Sequence, residues 1–249
     1  MSLSRWFRPA ALVVAGCLLS APLPAAAQEL SDQQRQQIEG VVRDYLLKNP
    51  EILREAMTAL ESRVRNENIA KAKDTSENSG AIVLGNPKGD VTLVEYFDYN
   101  CGYCKRSVDD IRALIKTDPQ LRVVLRDFPV LRQESVEAAI VALAASKQLS
   151  GDRYLDFHTK LIQSEGVIGQ NRALEEARAA GVDLAKLKNE MGEDWVRQAL
   201  SNTSDIAEQL SLTGTPSFVL GDGIIPGAVG LDTLKEAVSS VRQCGKLSC

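Results

Sequence analysis

Between Val91 and Lys116 the sequence passes from a β pattern to a helical one, and a cysteine pair sits on the junction. The run Val91-Thr92-Leu93-Val94-Glu95-Tyr96-Phe97 is rich in β-branched and aromatic residues, the composition of a strand. A helix is predicted from about Cys101 to Lys116, and Leu121 to Leu125 is a second β run. Ala81 to Leu84 is a short strand ahead of these, followed by a turn at Asn86-Pro87-Lys88-Gly89. After Phe128-Pro129 the pattern turns helical over roughly 133–148, 152–163, 170–180, 184–190 and 193–210, with Asp152 and Asp183 as helix caps. Strand character returns at Ser217 to Leu220 and Gly223 to Ile225, before a closing helix from Leu231 to Val241. This order describes an α/β domain over residues 80–249, interrupted by a helical insertion at about 130–211.

Two amphipathic helical segments precede that domain. Residues 32–48 place Ile38, Val41, Val42, Tyr45 and Leu46 on one broad stripe. Asn49-Pro50 interrupts the run, since Pro disfavours helical geometry in the residue before it and suits a new first turn. Residues 51–73 resume with Ile52, Leu53, Ala56, Met57, Leu60, Val64 and Ile69 among many charges. Thr75 to Gly80 is polar and reads as a hinge, so that residues 28–79 form a helical stalk and linker. An isolated amphipathic helix is marginal, so these apolar stripes need a partner. Self-association supplies one; folding back on the chain's own domain is the alternative.

The first 27 residues have the layout of a cleaved secretory signal. Arg5 and Arg8 precede an apolar run from Ala10 to Leu19, and Ala25-Ala26-Ala27 offers an A-x-A exit. The run is too short to span a membrane as a helix. Val14-Ala15-Gly16-Cys17 also resembles a lipoprotein box, but Leu18 and Leu19 continue the apolar stretch past Cys17, which favours the ordinary exit. Either processing places the mature chain outside the cytoplasm, most simply in a periplasm. Removal of the leader takes two arginines and no acids, moving the formal charge from −4 to −6. A mildly acidic chain with one histidine gives no footprint for nucleic acid. Four cysteines would remain, namely Cys101, Cys104, Cys244 and Cys249, with none between Cys104 and Cys244.

A C-x-x-C motif is either half of a metal site or a redox pair. In Cys101-Gly102-Tyr103-Cys104 the position decides: the pair opens a helix, with Asn100 as a candidate cap. Unpaired backbone N–H groups and the positive end of the helix dipole favour thiolate there. They lower the pKa of Cys101 and make it the nucleophile, while Cys104, one turn on and more buried, resolves a mixed disulfide. A zinc site would need Cys244 and Cys249 as further ligands, and these lie in a polar tail rather than a compact knuckle. Alternation puts Glu95 on the same face as Val91 and Leu93, toward the core, where a carboxyl has a raised pKa and can trade a proton with Cys104. Thr215-Pro216 precedes the strand at Ser217 and fits either a cis or a trans turn. His158 and Trp195 read as structural members of the insertion. Tyr99, Gly102 and Tyr103 are read as lining a substrate groove, beside which exposed backbone near Thr215 suits an extended peptide.

Glu95-x5-Cys101-Gly102-Tyr103-Cys104, Phe128-Pro129 and Thr215-Pro216-Ser217-Phe218 together resemble the DsbA-type family of thioredoxin-fold proteins, over about residues 82–243. The resemblance implies a thioredoxin fold with an inserted helical domain and thiol–disulfide exchange. It implies Cys101 as attacking thiol, Cys104 as resolving thiol, Glu95 as buried acid and Thr215-Pro216 as a cis-proline loop. Strongly oxidising members carry Pro-His between the cysteines; Gly102-Tyr103 and Thr215 are similar instead to periplasmic isomerases of the DsbC kind. Tyr45-Leu46-Leu47-Lys48-Asn49-Pro50-Glu51-Ile52-Leu53 is similar to the leading region of the suppressor-of-copper-sensitivity protein C group. That likeness implies a homo-oligomer, a trimer in members with such a stalk, acting on misfolded or reduced exported proteins. A membrane thiol reductase would keep the cysteines reduced, and neither cofactor nor metal is required. Cys244 and Cys249 are read as a tail disulfide, with a second redox or copper-binding pair as the alternative. The rival functions are a monomeric dithiol oxidase and a non-catalytic metal-handling protein.

Overall fold

The computed structural model describes residues 30–76 and 79–249. The secretory leader, its exit after Ala27 and Cys17 all lie outside the described residues. Contacts divide the chain into two units, one ending at Arg54 and one beginning at Glu55.

Helix α1 spans Asp32–Lys48 and begins with a reciprocal capping box, in which Gln34 N–H donates to Ser31 Oγ and Ser31 N–H donates to Gln34 Oε1. Asn49 ends it, its side chain donating to the Tyr45 carbonyl at 2.8 Å, and Pro50 opens helix α2, Pro50–Ala72. No residue of α1 is buried. Ile38, Val41, Val42 and Tyr45 stand exposed along one face of it, an apolar stripe left uncovered among the described residues, and Leu47 is exposed on the opposite side.

The second unit is built on a five-stranded sheet. Strands β1 (Ala81–Gly85), β2 (Val91–Phe97), β3 (Leu121–Asp127), β4 (Ser217–Leu220) and β5 (Gly223–Pro226) lie in the order β1-β3-β2-β4-β5. Only β2 and β3 run parallel, joined by helix α3, Gly102–Thr117. β2 therefore lies at the centre, buried on both faces, which explains its nearly continuous apolar composition. Between β3 and β4 the chain inserts α4 (Gln133–Ala145), α5 (Gly151–Gln163), α6 (Gln170–Ala179), α7 (Leu184–Met191) and α8 (Asp194–Gln209). Helix α9, Leu231–Cys244, closes the unit. One core cluster joins α3, the insertion and α9 to one sheet face; a second gathers Val94, Tyr96, Val124 and Val219 on the other.

The caps differ in part from expectation. Asp183 caps α7, accepting from the N–H groups of Ala185 and Lys186. Asp152 does not cap α5; Ser150 holds that position, and Asp152 lies in the first turn. Asn100 does not cap α3 either: Cys101 itself is the cap residue, with extended backbone.

The attachment of α2 also differs from the hinge expected at Thr75 to Gly80. Its last turns belong to the second unit, with Ile69 and Ala72 buried in the second cluster. Arg126 on β3, fully buried, donates to the carbonyls of Ala72 (2.9 Å), Ser79 (2.9 Å), Lys71 (3.3 Å) and Asp74 (2.6 Å). A helix leaves its last carbonyls without intrahelical donors, and the five N–H groups of one guanidinium meet that need here. Gly80 completes the approach at a φ of +75°, where an added Cβ would stand 2.8 Å from that of Ala199.

Candidate active site

Three chain segments converge on the cysteine pair: the β2-to-α3 junction, the middle of β2, and the turn ahead of β4. β2 runs out at Phe97, and Asp98 to Asn100 lead into Cys101 at the α3 N-cap. Both cysteines carry free thiols; Cys101 is 5% exposed and Cys104, one turn on, is fully buried. Cys101 Sγ lies 3.1 Å from the Thr215 carbonyl oxygen, a hydrogen bond that only the protonated thiol makes, across the cis Thr215–Pro216 bond of the facing turn. The Cys104 thiol beside it is the main reason that Cys101 is lowered to about 5. Burial opposes this, while the N–H groups of Cys104 and Tyr103 and the nearby Thr215 hydroxyl, which lies outside full hydrogen-bond contact, add to the stabilisation. Cys104 is displaced the other way, first by burial, then by its contact with Cys101 and the proximity of Glu95. One thiol is thus a thiolate at neutral pH and its neighbour is held protonated.

Glu95 pairs with Leu125 on one side and Phe218 on the other, and is 2% exposed. Burial raises its carboxyl to about 8, and the charges of Cys101 and Asp110 push in the same direction. The Ser107 hydroxyl faces the carboxyl and works against this, though it lies outside full hydrogen-bond contact. Glu95 alternates with Val91, Leu93 and Phe97, on the sheet face whose core also holds Cys101 and Cys104, while Val94 and Tyr96 face the second cluster.

Tyr103 is 60% exposed, with the Arg106 guanidinium 4.3 Å from its ring centroid. It borders a cleft of about 260 Å³ that Gly214, Thr215, Pro216 and Ala228 also line. Gly102 is exposed, and a Cβ built on it meets nothing within 4 Å. Tyr99 departs from expectation. It is 1% exposed, edge-on to Phe97 at 5.1 Å, with its hydroxyl 3.2 Å from Nδ1 of His158, so it lines no surface groove. Tyr99 lies in the turn between β2 and α3, where α5 of the insertion lays His158 against it. His158 is buried there and lowered to about 3 by desolvation, a neutral core imidazole.

Sequence reasoning missed a buried polar group at the same end of the sheet. Asp98 is 1% exposed, its carboxylate accepting from Ser135 Oγ, Asn100 N–H and Leu131 N–H. Asp127, 2% exposed, has no hydrogen-bond partner for either carboxyl oxygen among the described residues, and burial drives its pKa well upward. The only signal available beforehand was an acid within each apolar run.

Cys244 and Cys249 are joined by a disulfide, with Cα atoms 6.1 Å apart, so their sulfurs do not join the Cys101 pair. Among the described residues no group of three or more His, Cys, Asp or Glu side chains is arranged to hold a metal ion.

Residues 92–239 match the DSBA-like thioredoxin domain. The chain belongs to the DSBA-like thioredoxin family. Residues 34–67 match the N-terminal domain of the copper resistance protein ScsC. Among solved structures, a thioredoxin-like oxidoreductase from Silicibacter pomeroyi is 38% identical, with a TM-score of 0.63 over 68% of this chain and 99% of that one. A linker-deleted variant of Proteus mirabilis ScsC is 27% identical, with a TM-score of 0.63 over 86% of this chain and 98% of that one. Disulfide bond formation protein D of Bacillus subtilis is 27% identical over 64% of this chain and 76% of its own length. The match to a Na(+)/H(+) antiporter, NhaA 1 of Salinispora arenicola, is 26% identical, and the chain spans 24% of that protein. The chain is thus a thiol–disulfide oxidoreductase by family, with an ScsC-type leading segment on a DsbA-like domain. No helix among the described residues is long and apolar enough to cross a membrane.

Proposed function

We propose that this chain is a periplasmic disulfide isomerase and reductase of exported proteins, working through Cys101 and Cys104. The observation that carries the exchange chemistry is the opposed environment of the two thiols: Cys101 lowered to about 5 and Cys104 raised by burial. The Cys101 thiolate attacks a substrate disulfide, forming a mixed disulfide and expelling one substrate sulfur as thiolate, which takes a proton. That step removes the negative charge at Cys101. The charge had helped to raise both Glu95 and Cys104, so both become easier to deprotonate once the mixed disulfide exists. Glu95 releases its own proton to solvent and then, ionised, accepts the Cys104 proton, and the Cys104 thiolate attacks Cys101 Sγ. The mixed disulfide breaks, the second substrate sulfur leaves and is protonated from Glu95, and the substrate gains two electrons that the cysteine pair loses. If another substrate cysteine attacks the mixed disulfide first, the substrate disulfide is rearranged with no net electron transfer. A membrane thiol reductase restores the dithiol form.

Isomerisation is favoured over oxidation by Gly102-Tyr103, which places no cationic imidazole between the cysteines. It is also favoured by the unpartnered apolar stripe of α1, which self-association into a trimer would cover, and by the ScsC-type match over it. Beyond Val64 the large apolar side chains exposed in the described chain are Tyr103, Val130, Leu131 and Val167. The Leu131 N–H and the Ile168 backbone, next to Val167, bind Asp98 and Asn100, immediately before Cys101. Apolar surface beside the nucleophile suits unfolded protein substrates. A second reading, a dithiol oxidase, is favoured by the low Cys101 pKa, because a stabilised thiolate makes the disulfide form more oxidising. Reactivation of scrambled ribonuclease by the parent and by Val41→Glu/Val42→Glu separates the two. We expect a parent oligomer that reactivates the substrate, and a monomeric variant that keeps dithiol exchange but loses reactivation. A parent that oxidises reduced substrate rapidly yet leaves scrambled substrate inactive would select the oxidase.

A further inference from the structure

Asn100 stands one residue before the nucleophile, yet it spends its side chain on segments remote in sequence. Its Nδ2 donates to the Ile168 carbonyl at 2.8 Å and to Ser135 Oγ at 3.0 Å. Its Oδ1 accepts the Ile168 N–H at 2.8 Å. The reciprocal pairing with Ile168 is one rung of a β ladder made by a side chain, and it satisfies the backbone of the loop between α5 and α6. Ser135, in the first turn of α4, also donates to the Asp98 carboxylate at 2.7 Å, and Leu131 N–H donates to it at 3.0 Å. Three parts of the insertion side therefore grip a three-residue loop.

That loop in turn holds both cysteines by backbone groups. The Asp98 carbonyl accepts the Cys101 N–H at 3.0 Å, and the Asp98 backbone favours the thiolate form of Cys104. On the other side of the pair, the Lys105 ammonium binds the Ser164 carbonyl, at the start of the same α5-to-α6 loop. The cysteine turn is thus held between Asn100 and Lys105 against a single segment of the insertion. Cys101 has no side-chain cap to fix its own backbone, so the direction of the Tyr103 and Cys104 N–H groups toward its sulfur depends on this frame.

We propose that Asn100 is a positioning residue for the cysteine pair, the clamp by which the helical insertion fixes the geometry of the Cys101–Cys104 turn. It touches neither substrate nor sulfur; it acts through the Asp98–Cys101 backbone and the Ile168 main chain. The inference rests on the reading of Cys101 and Cys104 as the exchange pair. It assigns the insertion a part in setting thiol reactivity as well as in covering the sheet.

The test uses the full chain and three variants, Asn100→Ala, Ser135→Ala and, as a control, Leu187→Ala, which opens a cavity in the insertion core away from the loop. The readouts are the pH profile of Cys101 alkylation and the equilibrium with glutathione, beside thermal unfolding. We expect Asn100→Ala to move the alkylation midpoint upward by about one pH unit and to make the pair about tenfold less oxidising against glutathione. Ser135→Ala should move both in the same direction by a smaller amount. Leu187→Ala should lower the unfolding temperature and leave both readouts in place. Unchanged midpoints in Asn100→Ala, with only a lower unfolding temperature, would overturn the inference. If Asn100→Ala does not fold, an unchanged midpoint in Ser135→Ala overturns it. Failure of Cys101→Ser to abolish exchange would instead sink the underlying reading of the pair.

Discussion

Replacing Glu95 by Gln removes an ionisable carboxyl from the centre of β2 while nearly preserving its shape. The carboxyl is 2% exposed and raised from 4.5 to about 8, chiefly by burial. Such an acid binds its proton more tightly folded than unfolded, so its contribution to stability is complete below about pH 4.5. It declines as pH rises through that value and levels off above about 8. At about 1.4 kcal/mol per pH unit, the whole span is worth about 5 kcal/mol, and the part already lost at pH 7 is about 3 kcal/mol. Glu95→Gln has no such titration. The variant's stability minus the parent's should therefore be constant below pH 4.5, climb by about 3 kcal/mol toward pH 7 and level off above pH 8. Urea unfolding of both proteins at half-unit intervals from pH 4 to 9 measures that difference, in which the other titrating groups cancel. Any pH-independent difference between amide and carboxyl beside Ser107 shifts the curve vertically and leaves its slope intact. A difference that stays flat across the range would refute the assignment of Glu95 as a buried, neutral acid. Exchange should slow as well, since Gln cannot take the Cys104 proton.

Arg126→Met should strip donors from four carbonyls at once, destabilise the catalytic unit by several kcal/mol and speed amide exchange in residues 69–79 before the sheet opens. Uniform exchange across the unit would argue against an anchoring role. The tail disulfide closes a loop with a sequence separation of 5, for which chain-entropy reasoning gives about 2 kcal/mol. Cys244→Ser/Cys249→Ser should therefore lower the unfolding temperature modestly and leave exchange unaffected; lost exchange would reveal a second redox pair. Alkylation of Cys101 should be half-maximal near pH 5, its thiolate present above that value, and a midpoint near 9 would remove the basis for attack at neutral pH.

What the sequence made legible follows from periodicity and local stereochemistry. The alternation in Val91–Phe97 told which way Glu95 faces, and Asn49-Pro50 marked the break that separates α1 from α2. The strand-to-helix junction pointed to thiolate character for Cys101 as a first-turn residue, whereas Cys101 sits one position earlier, at the N-cap itself. The failures share a cause: local pattern says which face is inward, not what arrives on it. Tyr99 was placed in a groove because it precedes the cysteines, whereas α5 brings His158 over it from 59 residues away. Asn100 looked like a cap because Asn favours caps, yet its partners Ser135 and Ile168 lie 35 and 68 residues on. The polar stretch after α2 looked like a free hinge because nothing local shows that Arg126 grips both its ends.

The central claim is that Cys101 attacks and Cys104 resolves, and trapping the covalent intermediate tests it most directly. Cys104→Ser incubated with scrambled ribonuclease should accumulate a mixed disulfide that peptide mass mapping locates at Cys101, and Cys101→Ser should accumulate none. An adduct located at Cys104, Cys244 or Cys249 in the parent or either variant, with Cys101 unmodified, would contradict the account.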